Sequence, residues 1–187
     1  MSRQYWKELL TWEVTDGTAI ANTTTETIIY PNVTIPGNYM ADGRALHLVV
    51  RGKHSVAAAT TPTLTFRLRW GGVAGTVLTA SGAMVTGSGV TNAMFALQLW
   101  IQTRVNGASG SLLVMGEAIL WDDATTTVGS ATNNQAHDPM GSAGVAAPAA
   151  VTVDLTADIA LAISAQWGTA SVSNTLTGMQ RFLGSLN

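Results

Sequence analysis

The chain contains no cysteine. That excludes disulfides, thiol nucleophiles and thiolate metal sites together. Charge is scarce as well. Asp, Glu, Lys and Arg make up 11% of the 187 residues, less than half of the roughly 25% usual for globular domains. The formal net charge is −2, so no general electrostatic pull toward nucleic acid is expected. No run reaches the ~18 consecutive apolar residues of a membrane span. The opening MSRQYWKELLTWE has no long apolar stretch and no small-residue cleavage site, so it does not read as a secretory signal. Asn22 and Asn32, each in an Asn-X-Thr context, then read as chance in a Thr-rich stretch.

What remains is a chain with 47% apolar residues, in which Thr, Ser, Ala and Gly replace the missing charge. A surface of that kind can be covered by a neighbour without desolvating many ions. It suits a subunit of a lasting assembly. It also suits an extracellular β-protein with a neutral surface. The length fits one domain, or one domain with a small appendage.

Residues 1–13 stand apart. Trp6, Leu9, Leu10 and Glu13 follow helical spacing, which predicts a short helix or arm over Tyr5 to Trp12. So short a helix is not stable alone and must lie on its own domain or on a partner. From Asp16-Gly17 onward the pattern is β throughout. In Arg44 to Lys53, Leu46, Leu48 and Val50 share one face, while His47, Val49 and Arg51 share the other. Thr63 to Trp70 puts Leu64, Phe66, Leu68 and Trp70 inward and Arg67 and Arg69 outward. Ala93 to Val105 turns Phe95, Leu97, Leu99 and Ile101 inward, with Gln98, Trp100, Gln102 and Arg104 outward. Asn106-Gly107 is a hairpin signal, with Ser111 to Trp121 as the returning strand. Shorter strands are expected in 25–30 and 73–85, and further ones in 151–155, 159–167 and 175–183. About eight main strands with no long helix predict an all-β, antiparallel two-sheet sandwich, jelly-roll-like, in a single domain over 14–187. Residues 122–150 are small and polar and read as a long surface loop.

The chain offers little to catalysis. Gly-X-Ser-X-Gly is absent, as is a phosphate loop. His47 and His54 lie seven apart on or near one strand and fall on opposite faces, so they do not share a metal easily. Asp122, Asp123 and Asp138 in a loop are one way to hold calcium, but their spacing matches no EF-hand. Glu117 sits inside an apolar strand, where a raised pKa would suit an acid catalyst; an ion pair with Arg104 across the hairpin is the plainer expectation. No catalytic, cofactor or metal residues are assigned.

Six tryptophans invite two readings. Aromatic platforms bind sugars, and aromatic anchors fill interfaces. Trp100, outward between Gln98 and Gln102, serves either. The chain also ends unusually, in LTGMQRFLGSLN, with apolar side chains on both faces of a strand: Met179 and Leu183 on one, Leu176 and Phe182 on the other. A copy of the same protein, or another partner, is expected to cover the second face. The candidate interface residues are therefore Trp6, Leu9, Trp12, Trp100, Leu176 and Phe182.

Several stretches share a cadence: GTAIANTTTETIIY, DGRALHLVVRGKHS, TPTLTFRLRWGG, the pair FALQLWIQTR and GSLLVMGEAIL, and the terminal LGSLN. Together they resemble small virion structural proteins of tailed bacteriophages. The resemblance implies a non-enzymatic jelly-roll subunit in the virion, assembled in the host cytoplasm. Its partners would be copies of itself, as a homo-oligomer and by analogy a trimer, together with the major capsid protein or another virion protein. Capsid decoration is the expected role. A tail or baseplate subunit and a host-glycan-binding module are the alternatives. The resemblance supplies no catalytic residues.

Overall fold

The computed structural model describes residues 7–122, 135–142 and 148–186. These residues form fourteen β-strands and no α-helix. Two antiparallel sheets make a sandwich. The first holds, in spatial order, β1 (Lys7–Glu13), β14 (Thr175–Leu186), β5 (Ala45–Ser55), β9 (Ala93–Val105), β10 (Gly110–Trp121) and β11 (Gln135–Met140). β12 (Val151–Val153) adds to β10, and β2 (Ile20–Ala21) adds to β14. The second sheet runs β3 (Thr27–Ile28), β13 (Ile159–Trp167), β6 (Thr63–Trp70) and β7 (Thr76–Ala80). β4 (Val33–Ile35) joins β13, and β8 (Met84–Val85) joins β6. β5 crosses over to β6 in the other sheet, and the returning β13 and β14 pair with those two strands in turn. This nesting of an outgoing pair with a returning pair is the rolled ribbon of a jelly roll.

The core follows the period-two pattern. Leu46, Leu48 and Val50 of β5 and Phe95, Leu97, Leu99 and Ile101 of β9 are buried. They meet Leu64, Phe66 and Leu68 of β6 and Ile163 and Ala165 of β13 within one apolar cluster. Phe66 stacks on Phe95 across the two layers at 5.5 Å. The 106–109 turn closes the β9–β10 hairpin with Gly107 at φ 101°, a conformation that glycine adopts without steric cost.

Three expectations change. Residues 7–13 form a strand on the edge of the first sheet, not a helix. β14 offers an unpaired backbone there, and a helix of two turns has too few internal hydrogen bonds to compete. Within the expected 122–150 loop, residues 135–140 pair with β10 as an edge strand. The ladder to β10 supplies stability that the polar composition of this stretch conceals. The third change lies in β14. Its pairing with β5 slips between Gly178 and Gln180, so an extra residue enters the strand as a β-bulge and reverses the alternation beyond it. Leu176 is buried beside Leu183, with Met179 and Phe182 on the outer side. Leu176 belongs to the core and cannot serve as an interface residue.

Candidate functional site

The inward side chains leave a second set on the outer face of the eight-stranded sheet. Trp12 of β1 lies across from Phe182 of β14 in the ladder. Phe182 neighbours Val49 of β5, while His47 of β5 lies across from Trp100 of β9. Met115 of β10 is the next partner of Trp100. A row therefore crosses five strands. Trp12 and Phe182 meet edge to face at 6.1 Å, Phe182 and His47 approach at 6.2 Å, and His47 stacks on Trp100 at 4.1 Å with planes 8° apart. Trp12 is 61% exposed and Trp100 is 42% exposed. Leu9, Met94, Met115 and Met179 are exposed as well.

Of the candidate interface residues, Trp100, Trp12 and Leu9 are exposed on this face, the latter two on a strand where a helix was expected, and Phe182 is half-buried under its neighbours. Trp6 lies outside the described residues. The sequence pattern missed His47, Met115 and Val49 as parts of the row. Their outward phase was visible, but adjacency depends on strand order, which periodicity does not encode.

Shallow grooves flank the row. One of about 310 Å³ is lined by Val49, Met94, Ala96, Gln98, Glu117 and Trp121. Glu117 does not pair with Arg104. In the ladder it faces Gln98, and Arg104 lies six positions away near the hairpin. Its carboxylate instead meets His137 Nε2 of β11 at 2.7 Å. His47 approaches Gln98 Nε2 through its own Nε2 at 3.3 Å. Burial, and then the charge of Lys7, hold its pKa below the usual imidazole value. The ring therefore stacks on Trp100 in its neutral form at neutral pH. The Lys7 ammonium sits 5.1 Å over the Phe182 ring, a cation–π placement.

Two polar anchors hold this face in place from behind. The bulge in β14 turns Arg181 inward, where it is buried. It donates to Glu13 of β1 and to the Pro31 carbonyl and lies 5.0 Å over the Tyr30 ring. β1, and Trp12 with it, is thereby fixed to β14. Tyr30 is buried without a hydrogen-bond partner for its hydroxyl. Burial, with the nearby Asp16 and Glu13 charges, pushes its pKa to about 12. On the second sheet, Glu26 accepts from Arg69 Nε and Nη2, both at 2.6 Å, from Arg67 Nη1 at 3.3 Å and from Ser164 Oγ at 2.5 Å. That cluster fastens the 22–30 segment to β6 and β13.

His54 falls on the opposite face of β5 from His47, as its spacing requires, and is fully buried. Among the described residues no group of three or more His, Cys, Asp or Glu is placed to hold a metal ion. Asp138 and Asp122 accept from the backbone N–H groups of Gly82 and Gly87, which ties the flanks of the 122–150 segment to the body. Asp123 lies outside the described residues.

No family model and no curated protein matches the sequence. Among solved structures, the CBM2 module of the evolved Dit of Lactobacillus casei BL23 phage J-1 aligns over 99% of this chain and 98% of its own. The identity is 9% and the TM-score 0.36. At that score the description of the fold rests on the strands themselves.

Proposed function

We propose that the chain is a non-enzymatic structural subunit of a tailed-bacteriophage virion. More narrowly, it decorates the outside of the capsid as a homo-oligomer and stabilises the shell. The observation that carries this reading is the row Trp12–Phe182–His47–Trp100–Met115. Contiguous apolar patches on the surface of a single chain mark sites covered by a partner, and Trp, Phe and Met are enriched at interface centres. The low overall charge and the sequence resemblance to small virion proteins point the same way.

The geometry favours a protein partner over a sugar. A sugar platform needs an open aromatic face. His47 covers one face of Trp100 in a near-parallel stack. What remains of Trp100 borders a groove with Gln98, Met115 and Glu117, which suits a side chain projecting from a complementary protein surface.

The test is antibody labelling of particles from the phage whose genome encodes the chain, viewed by electron microscopy. Label spread over the shell is the expected result. Label confined to the tail or baseplate would replace decoration with a tail role. Unlabelled particles that lack the protein by mass spectrometry would overturn the reading. Glycan binding that disappears in Trp100→Ala would put a host-glycan module in its place.

A further inference from the structure

We propose that a second copy of the same chain covers the aromatic face, and that it does so head to tail, presenting its carboxylate-bearing end and not its own aromatic face. The inference rests on the assembly role above and names the partner of that site.

The argument starts from how charge is distributed. Lys7, Arg51, Lys53 and Arg104 all lie on the outer face of the eight-stranded sheet. Lys7 is placed there by its ammonium over Phe182. Arg51 and Lys53 share the phase of His47 and Val49 on β5, and Arg104 that of Trp100 on β9. None of the four has a carboxylate partner among the described residues. Lys7 and Arg104 stand at the end of the strands near Ala45 and Gln102, and Arg51 and Lys53 stand at the other end, near Ala96 and Met94. Cations therefore flank the aromatic row on both sides. Among the described residues the single carboxylate on the face, Glu117, is engaged by His137.

The rest of the described molecule has the opposite balance. Its four cations are already engaged: Arg67 and Arg69 on Glu26, Arg181 on Glu13, and Arg44 on the Tyr39 carbonyl, to which its Nη1 donates at 2.7 Å. Nine carboxylates stand against them. Asp42, Asp154 and Asp158 are exposed at one end of the sandwich. Gly37 N–H donates to Asp158 at 2.8 Å, and Asn38 N–H to the Leu155 carbonyl at 2.7 Å. These bonds lay the loop that carries Asp42 beside the loop that carries Asp154 and Asp158.

A two-fold pairing of aromatic faces would bring four cations without carboxylate partners toward four others, within a Debye length of about 8 Å. Like charges across an interface are disfavoured. A head-to-tail contact sets the same cations against carboxylates, while Trp12, Phe182 and Trp100 supply the apolar centre. Head-to-tail contacts close into rings when the rotation per subunit allows. A ring is also the form in which a subunit repeats on a shell.

The test is sedimentation equilibrium of the full chain at about 20 μM in low and high salt. The chain is compared with Arg51→Glu/Lys53→Glu on the face and Asp42→Lys/Asp158→Lys on the end. Asp158 also holds the Gly37 N–H, so Asp42→Lys alone, at an exposed turn, runs beside the double variant, and thermal unfolding checks that each is folded. The expected result is a wild-type mass at a multiple of 19.4 kDa that falls in high salt, with self-association at least tenfold weaker in both the face and the end variants. A wild-type monomer in low salt overturns the inference. So does an oligomer whose mass the end variants leave unchanged, because the face would then meet some other surface. The virion role fails separately, through unlabelled particles, and survives a monomeric result.

Discussion

Replacing Glu26 with alanine should destabilise the protein far more than loss of a surface charge would. The Glu26, Arg69 and Arg67 side chains are 15%, 16% and 22% exposed. Exposed ion pairs contribute about 0–1 kcal/mol, whereas removing one partner of a fully buried pair costs about 3–5 kcal/mol. The Glu26 cluster lies between these limits. Its carboxylate takes two short hydrogen bonds from one guanidinium and a third from Ser164 Oγ, and the substitution strips Arg69 Nε and Nη2 of their acceptor, while Arg69 Nη1 keeps the Gly75 carbonyl and Arg67 keeps Gln166 Oε1. A loss of about 2–3 kcal/mol follows, or roughly 4–12 °C in the unfolding midpoint for a chain of this length. Urea unfolding of Glu26→Ala, Arg69→Met and the double variant measures both the cost and the coupling. The effect also has a pH signature. Burial pulls the Glu26 carboxyl upward, but the hydrogen bonds from Arg69 and Ser164 and the charges of Arg69 and Arg67 outweigh it, so the folded pKa lies below the ordinary 4.5. A lowered carboxylate pKa stabilises the fold above the unfolded value and loses that contribution as pH falls through the folded one. The gap between wild type and Glu26→Ala should therefore be constant above pH 5 and shrink below about pH 4.5. A cost under 0.5 kcal/mol at pH 7, or a gap that does not move in acid, would refute the reasoning.

Three further substitutions probe other parts of the sandwich. His54 is buried with neither ring nitrogen hydrogen-bonded, and its burial, only partly opposed by the Ala93 backbone, pushes its pKa down to about 4 from 6.5. Between those values only the unfolded chain gains the proton, so stability should fall by about 1.4 kcal/mol per pH unit and about 3 kcal/mol in all on acidification; in His54→Leu that slope should vanish, as measured by chemical unfolding from pH 7 to 4. Phe66→Ala empties the space against Phe95 between the sheets and should cost about 3–5 kcal/mol in the same assay, and a loss below 1 kcal/mol would show that the layers do not pack as described. In Gly178→Ala the new methyl would stand 2.6 Å from the Tyr30 ring; overpacking of this kind costs about 1–3 kcal/mol, and an unchanged melting temperature would show that the bulge region is loose.

How legible each element was depended on whether its stability comes from its own pattern or from a neighbour. β5, β6 and β9 bury one face in a period-two pattern, so their inward sets could be read from residue order, and β10 was legible as the returning strand of the Asn106-Gly107 hairpin. β1 was not legible. Leu9, Leu10 and Glu13 fit a helical period, and only the free edge of β14 makes the strand the better state. β11 is equally hidden, since QAHDPM has no apolar alternation and is held by β10. In β14 the extra residue at Met179 has no mark in the sequence, and it moves Leu176 into the core and brings Arg181 in beside Leu183. The acceptors of the buried Arg181 Nη1 and Nη2, Pro31 and Glu13, lie far away in sequence. The binding row was half legible for the same reason. Each outward aromatic was visible, but the stack of His47 on Trp100 requires β5 to lie beside β9, and nothing in either strand names its neighbour.

The nesting of β5–β6 with β13–β14 also sets a timetable for synthesis. Leu48 is paired with Leu183, which leaves the ribosome 135 residues later. At roughly 5–20 residues per second, β5 waits on the order of ten seconds for the strand that completes its edge. During that interval the β9–β10 hairpin, close by in sequence, is the one long partner β5 can acquire early. Late closure by β14 is the step that commits the whole sandwich. A ribosome that stalls or terminates before Thr175 would release a chain with the apolar edge of β5 open to aggregation.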